Sequence, residues 1–333
     1  MLDLNRLNRI RVTSRPFAQR AFANLVVRPS YRLFPKVDVK AEGWHNIPKE
    51  PVIFVMNHTD RFNYFPLQYL LLFGHDRYTA TWVKGKYYEN PIIAQFMERT
   101  HQIPTVSRGY LITRDFVATT GQRPTGEQYR ALRDLVDAAS FNKEDPAAAL
   151  EVVPTAIFQK ARNILGVDFR PADEDYAHCI NRLFAKMMAR FLELNREVFE
   201  TGLDLLVFPE GTRSIRLSEG RIGISEVALK LRKTVVPIGC NGSDKIYPSA
   251  NPWAKGGKVT LRVGRPISFE EMAPYHIDEP FEPFHPRDEA KHRVKFRGLT
   301  DMFMARINEL LDPEYQFSPT RESDGVAGAK RFV

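Results

Sequence analysis

Short apolar runs recur along the 333-residue chain at Val52–Met56, Tyr78–Val83, Ile103–Val106, Leu203–Phe208, Thr234–Cys240 and Val259–Val263. Runs of this length, rich in branched and aromatic residues and bounded by turn residues, predict buried strands. Between them, apolar positions fall at helical spacing. One such segment resumes after Asn57-His58 and runs to Leu72, with Thr59 or Asp60 as its N-cap. Another opens at Pro91 with Ile92, Ile93, Phe96 and Met97. Three more faces follow: Tyr129, Leu132, Leu135, Val136 and Ala139; then Ile157, Phe158, Ala161, Ile164 and Leu165; then Ile180, Leu183, Phe184, Met187, Met188, Phe191 and Leu192. Loop signals separate these at Gly121–Pro124, Asp145-Pro146 and Arg170–Asp173. Ile224, Val227, Ala228 and Leu231 form a further face, and a last helix is predicted over 291–311, with Val294, Leu299, Met302, Phe303, Ile307 and Leu310 on one side. Strands alternating with helices imply an α/β sheet with helices on its faces. The polar tail after Pro319 is predicted to be disordered.

Charge changes this picture at the N-terminus. Residues 1–40 carry nine Lys and Arg against Asp3 and Asp38, interleaved with Leu4, Leu7, Ile10, Phe17, Phe22 and Leu25. That pattern suits a helix lying on an anionic membrane surface, and equally a core-packed helix with a solvated basic face. The whole chain is +8 at pH 7, which favours acidic partners. No signature of a nucleic-acid-binding module is present, so nucleic acid is not expected as a partner. Cys179 and Cys240 form no CxxC and read as unpaired thiols of a reducing compartment. An arginine-rich start is not a secretory signal, and no apolar stretch reaches the length of a membrane span. The expected location is therefore cytoplasmic, peripherally associated with the inner face of a membrane. His276, Asp278, Glu279, Glu282, His285, Asp288 and His292 cluster in 274–292, but their spacing matches no ligand motif and no metal is expected.

The candidate chemistry lies in two loops that each follow a predicted buried strand. One is Asn57-His58-Thr59-Asp60-Arg61-Phe62-Asn63; the other is Pro209-Glu210-Gly211-Thr212-Arg213-Ser214. The carboxyl ends of strands are where ligands collect in open α/β sheets. The first loop offers an imidazole base, and the second a carboxylate, a glycine and a guanidinium able to grip phosphate bidentately. Lys84 and Arg108 also follow strands and could meet an anion, whereas Lys86 reads as a solvated charge.

FPEGTRS at 208–214, the Asn57-His58 segment, and VVPIGCNGSDKIYP downstream resemble the lysophospholipid acyltransferase family, best known for the 1-acyl-glycerol-3-phosphate acyltransferases. Ile103–Arg108 resembles that family's second motif, and Trp82-Val83-Lys84 the segment preceding it. The resemblance covers 44–108 and 200–268 and implies a glycerol-3-phosphate acyltransferase-like mixed sheet flanked by helices. It also implies that His58 is the general base for transfer of a fatty acyl group to a lysophospholipid hydroxyl. The donor would be acyl-CoA or acyl-carrier protein as co-substrate, with no other cofactor and no acyl-enzyme. Arg108, Glu210, Gly211, Thr212 and Arg213, with Lys84, would bind the acceptor, and Pro237 would be structural or line the pocket.

Two departures matter. The family's aspartate five residues after the histidine is here Asn63, which leaves Asn63 or Asp60 as the partner of His58. This loss also admits a catalytically weak or inactive lipid-binding or scaffold protein. In addition, the long stretch 109–200 separates the second motif from FPEGTRS. It predicts an inserted helical subdomain whose Met and Phe stripe is core or covers an acyl chain. The expected organisation is a basic helical region over 1–43, an acyltransferase domain over 44–275 interrupted by 109–200, and a loop, helix and tail over 276–333.

Overall fold

The computed structural model describes residues 1–143, 145 and 147–324. Pro146, half of one predicted loop signal, and 325–333, the end of the predicted disordered tail, lie outside the described residues. Strands β1 (Val37–Glu42), β2 (Ile53–Met56), β3 (Thr79–Lys84), β4 (Gln102–Thr105), β7 (Asp204–Val207), β8 (Val235–Asn241) and β9 (Gly257–Val263) form one sheet in the order β1-β9-β8-β2-β7-β3-β4. The pairs joining β8, β2, β7, β3 and β4 are all parallel, while β9 runs antiparallel to β8 with β1 parallel beside it. The result is the mixed, mostly parallel sheet expected from the sequence. Each predicted strand is present within a residue or two. The edge strand β1 was not predicted, because lysine and glutamate on its solvated side break the apolar run.

Successive side chains on a strand point to opposite faces. Ile53 and Val55 of β2, with Leu205 and Val207 of β7, therefore enter one core, while Val52, Phe54, Met56 and Leu206 enter a second. Both faces are covered, which is why these strands read as unbroken apolar runs.

The helices are α1 (Leu4–Arg9), α2 (Phe17–Phe22), α3 (Arg28–Arg32), α4 (Phe65–His75), α5 (Pro91–Arg99), α6 (Arg108–Thr120) and α7 (Gly126–Ala139). They continue with α8 (Ala147–Val152), α9 (Ala156–Gln159), α10 (Tyr176–Glu200), α11 (Gly223–Leu231), α12 (Ser243–Ile246), α13 (Pro286–Lys291) and α14 (Arg293–Asn308). A π-helical turn, Ala23–Val27, joins α2 to α3.

Segment 109–200 is not a separate body. Its long helix α10 packs directly on β7, β4 and α1. Met187, Met188 and Phe191 share the first core with Ile53, Val55 and Ala80, so the Met and Phe stripe is core. The Trp82 indole N–H donates to Asn195 Oδ1 at 2.7 Å and ties α10 to β3. One helical expectation fails beyond Gln159. There the chain forms a hairpin of β5 (Arg162–Ile164) and β6 (Val167–Phe169). Its two-residue turn, Leu165-Gly166, has φ of +48° and +99° at the two positions. Two positive φ values match a hairpin turn, but Leu-Gly lacks the Asn-Gly signal that would have announced it.

The carboxyl ends of β2, β7, β3 and β4 gather at one edge, which brings the two candidate loops together. The opposite edge is tied by Asp204, whose carboxylate is almost fully buried. It accepts from the Val52 N–H at 3.0 Å and from Arg77 Nε at 2.9 Å and Nη2 at 2.5 Å. Removing one partner of a buried pair leaves the other uncompensated. Asp204→Ala is expected to cost about 3 kcal/mol of unfolding free energy, measured by urea denaturation; a change below about 1 kcal/mol would show that the pair does not hold β2 to β7.

Candidate active site

Residues 57–64 form a loop, and α4 begins only at Phe65, without a side-chain N-cap. The loop is fixed by its own amides. The Asn57 side chain bonds both the N–H and the C=O of Cys240 on β8, at 2.8 and 3.0 Å. Asn63 Nδ2 donates to the Asn57 carbonyl at 2.6 Å, so its amide oxygen is the atom that meets His58 Nδ1, at 3.1 Å. A carbonyl cannot donate, and an amide oxygen can only accept. Nδ1 must therefore carry the proton, which leaves the Nε2 lone pair free. Asp60 turns the other way. Its buried carboxylate accepts from Phe62 N–H at 2.7 Å and from Thr59 Oγ1 at 3.0 Å. Of the two candidates, Asn63 is the partner of His58.

The imidazole stacks on Phe208, with ring centroids 4.1 Å apart. Burial pushes its pKa down, the Asn63 hydrogen bond pulls it up, and Arg213 and Lys84 push it down again, to about 3. An aspartate would have added a full charge favouring the imidazolium, and the amide does not. The imidazole is neutral across the physiological range and weakly basic.

Glu210 does not face the site. It is buried, and its carboxylate joins two loops: Oε1 accepts the His58 backbone N–H at 2.8 Å, while Oε2 accepts Ser218 N–H at 2.9 Å and Ser218 Oγ at 2.7 Å. Burial raises its pKa to about 7 against these three hydrogen bonds. The Ser214 N–H closes the junction on the His58 carbonyl at 2.9 Å. Between them Gly211 adopts φ +65°, a left-handed conformation that turns the chain back and that glycine adopts without strain.

These loops open on a cavity of about 670 Å³. His58, Lys84, Gly211, Thr212 and Arg213 line it, as do Arg61, Lys86 and Arg221. Trp82, Val83, Phe96, Met97, Val106 and Ile224 supply apolar wall, and among the described residues no Asp or Glu lines it. No ion pair among the described residues engages Arg61, Arg213 or Arg221. Lys86, expected as a solvated charge, belongs to this cluster, and its pKa is lowered by burial and then by Arg213 and Arg61. Arg108 does not line the cavity. It opens α6, where its guanidinium meets Ser140 Oγ and Asp137 Oδ1, each at 3.1 Å, over the Phe184 ring. Pairing with Asp137 on α7 makes it an internal strut. Sequence reasoning missed Arg61, Lys86 and Arg221. Arg61 stands inside the histidine loop and carried the clearer signal; Arg221 sits in a coil with no pattern to mark it.

In the 274–292 stretch, the His276 ring meets the Phe269 carbonyl, His285 lies beside Asp288, and His292 beside Glu279. No group of three or more metal-type side chains among the described residues could hold a metal ion.

The arrangement suits acceptance of a proton at Nε2 beside a bound anion. Asn63→Asp places a carboxylate on Nδ1 and should raise the His58 pKa by about 1–3 units. Titration of the ring by NMR reads this directly, and an unchanged midpoint would place residue 63 out of contact with the ring.

Residues 38–129 match the family model described as Acyltransferase, a span that includes His58, Asn63, Lys84 and Arg108 but not 208–214. Among solved structures, the chain is similar to the 1-acyl-sn-glycerophosphate (LPA) acyltransferase PlsC from Thermotoga maritima. Identity is 17%, the match covers 90% of this chain and 86% of that one, and the TM-score is 0.39. No curated protein sequence matches at a significant level. The loop that carries His58 and Asn63 lies inside the span that matches the Acyltransferase model, so the match covers this half of the site.

Proposed function

We propose that the chain transfers a fatty acyl group from acyl-CoA or acyl-carrier protein to the free hydroxyl of a lysophospholipid, and that 1-acyl-glycerol-3-phosphate is the acceptor. The observation that carries this reading is the neutral, Nδ1-protonated His58 on a cavity lined by three arginines with no carboxylate partner among the described residues. In the proposed step, Nε2 takes the proton of the acceptor hydroxyl as its oxygen attacks the thioester carbonyl. The tetrahedral intermediate collapses, the C–S bond breaks, and the imidazolium returns the proton to the thiolate. Arg61, Arg213 and Arg221 hold the acceptor phosphate, and the apolar wall takes acyl chain. A phosphate seated near Arg213 and Lys84 offsets the two charges that depress His58, so acceptor binding itself makes the base stronger. Lack of a carboxylate on His58 favours the alternative of a weak or inactive lipid-binding protein.

An acyl-transfer assay decides between them. Wild type should release thiol from acyl-CoA with a phosphorylated acceptor, and His58→Ala should fall by about 10³-fold. Equal background release from both would reject the enzyme reading. Arg213→Ala and Arg221→Ala should each raise KM for the phosphorylated acceptor by roughly 10–100-fold, the worth of one hydrogen bond to a charged group. An unphosphorylated monoacylglycerol should be little affected, and equal losses on both acceptors would argue against phosphate binding.

The proposed partner surface is an anionic membrane face. No helix among the described residues is long and apolar enough to cross a membrane. Phe17 on α2, Leu25 on the π-helical turn and Ile92 on α5 are 83%, 75% and 80% exposed. The two helices meet where Phe22 packs edge-on against Phe96, and both of these rings line the cavity. Arginines 9, 11, 15, 20, 28 and 32 surround this apolar display in sequence, as at an interfacial anchor. Replacing Phe17, Leu25 and Ile92 together by Glu should reduce sedimentation with anionic vesicles at least about tenfold. Undiminished binding would move the contact elsewhere.

A further inference from the structure

The loop that carries Arg213 has no regular secondary structure between Thr212 and Arg221, yet much of its backbone is bonded, and several of the partners come from the strap that follows α14. Leu217 exchanges hydrogen bonds with the strap that follows α14: its N–H donates to the Tyr315 carbonyl at 2.9 Å and its carbonyl accepts Ser318 N–H at 3.1 Å. The Glu219 N–H donates to the Arg321 carbonyl at 2.8 Å. Arg216 N–H donates to Asp324 Oδ2 at 2.7 Å, and its guanidinium to the Phe317 carbonyl at 2.8 Å. The Asp324 N–H donates to Ser214 Oγ at 2.9 Å, and Ser323 Oγ donates to the carbonyl of Arg213 itself at 3.1 Å. The tail expected to be disordered after Pro319 is thus seated as far as Asp324.

The two ends of this strap differ in how they are held. Tyr315 is buried, and its hydroxyl donates to Asp244 at 2.7 Å, so the strap is anchored there by a packed ring. Residues 320–324 carry no apolar side chain, and they meet the loop through the hydrogen bonds of Arg321, Ser323 and Asp324. On its other side the loop is bonded to His58, through Ser214 N–H and through Glu210. The Arg213 backbone therefore sits between the junction at His58 and a segment, 320–324, that meets the loop through polar contacts. Release of 320–324 would hand the Arg216 and Glu219 amides to solvent and loosen the loop at Arg213.

We propose that residues 320–324, through Ser323 and Asp324, are positioning residues for the acceptor site: the seated strap holds Arg213 in the geometry that binds the phosphate, and its release weakens acceptor binding while leaving His58 in place. The substrate half of this inference rests on the function proposed above; the positioning half does not. The strap acts on one wall of the cavity only, so acceptor KM should respond while donor KM and kcat do not.

Five forms test it: wild type, Asp324→Ala, Asp324→Asn, and chains stopped after Asp324 or after Pro319. Asp324→Ala and the stop after Pro319 should raise KM for the phosphorylated acceptor about tenfold, the worth of one charge-assisted hydrogen bond. Donor KM and kcat should stay within about twofold. Asp324→Asn, which keeps an acceptor oxygen for the Arg216 N–H, should remain near wild type, as should the stop after Asp324. Unchanged acceptor KM in both damaged forms overturns the proposal, and so does a parallel loss of every parameter with a lowered Tm, which would mark a purely structural role. Amide hydrogen exchange keeps the test independent of turnover. The Arg216 and Glu219 amides should exchange at least about tenfold faster in the chain stopped after Pro319. If wild type transfers no acyl group to any phosphorylated acceptor, the proposed function fails, and the exchange rates alone judge the strap: equal protection in both chains overturns it.

Discussion

The Glu210 carboxylate is the junction on which the site depends. One oxygen holds the backbone of the residue that carries the imidazole, and the other holds the loop that carries Arg213. Neither loop has regular structure of its own, so this bridge, together with the Ser214 N–H on the His58 carbonyl, is what holds the imidazole beside the loop of Arg213. The carboxylate can make the bridge only because it is buried. Burial raises its pKa to about 7, and the three donors it satisfies pull in the opposite direction. A residue whose type suggests substrate contact is thus spent on geometry.

The same trade runs through the rest of the site. Arg108, expected at the acceptor, is an internal strut to α7, and cations from three loops that hold His58, Lys84 and Arg213 line the cavity in its place. Asn63 supplies orientation to His58 through a double contact, one to the Asn57 carbonyl and one to the ring, but it supplies no charge. The tautomer therefore comes from Asn63, whereas the low basicity comes first from burial. The surrounding cations deepen that low basicity, and a bound anion would relieve it.

Much of the fold was legible because both faces of the sheet are covered. Full burial makes the central strands continuous apolar runs, and the loops after them carry the unusual residues. The edge strand β1 and the hairpin β5–β6 were not legible, since neither has two buried faces and the hairpin turn uses Leu-Gly. The helical character of most of 109–200 was readable from its periodicity. Whether those helices stood apart or packed on the sheet was not, because an amphipathic helix shows that it has a buried face without naming what buries it. Here α10 is buried on β7 and β4.

What the sequence by itself determined is the chemistry available: an imidazole after one buried strand, FPEGTRS after another, an asparagine where a carboxylate was expected, and a basic, apolar-studded N-terminus. Each of these is a local property of residue type and spacing. Which groups meet was decided only by the tertiary structure. Asn63 rather than Asp60 faces His58, Glu210 faces away from the cavity, Arg61 and Arg221 face into it, and the strap up to Asp324 closes over the loop of Arg213. Those outcomes depend on hydrogen-bond directions between segments up to 152 residues apart at the Glu210 junction and 110 at the strap, and sequence spacing carries no information about direction across such distances.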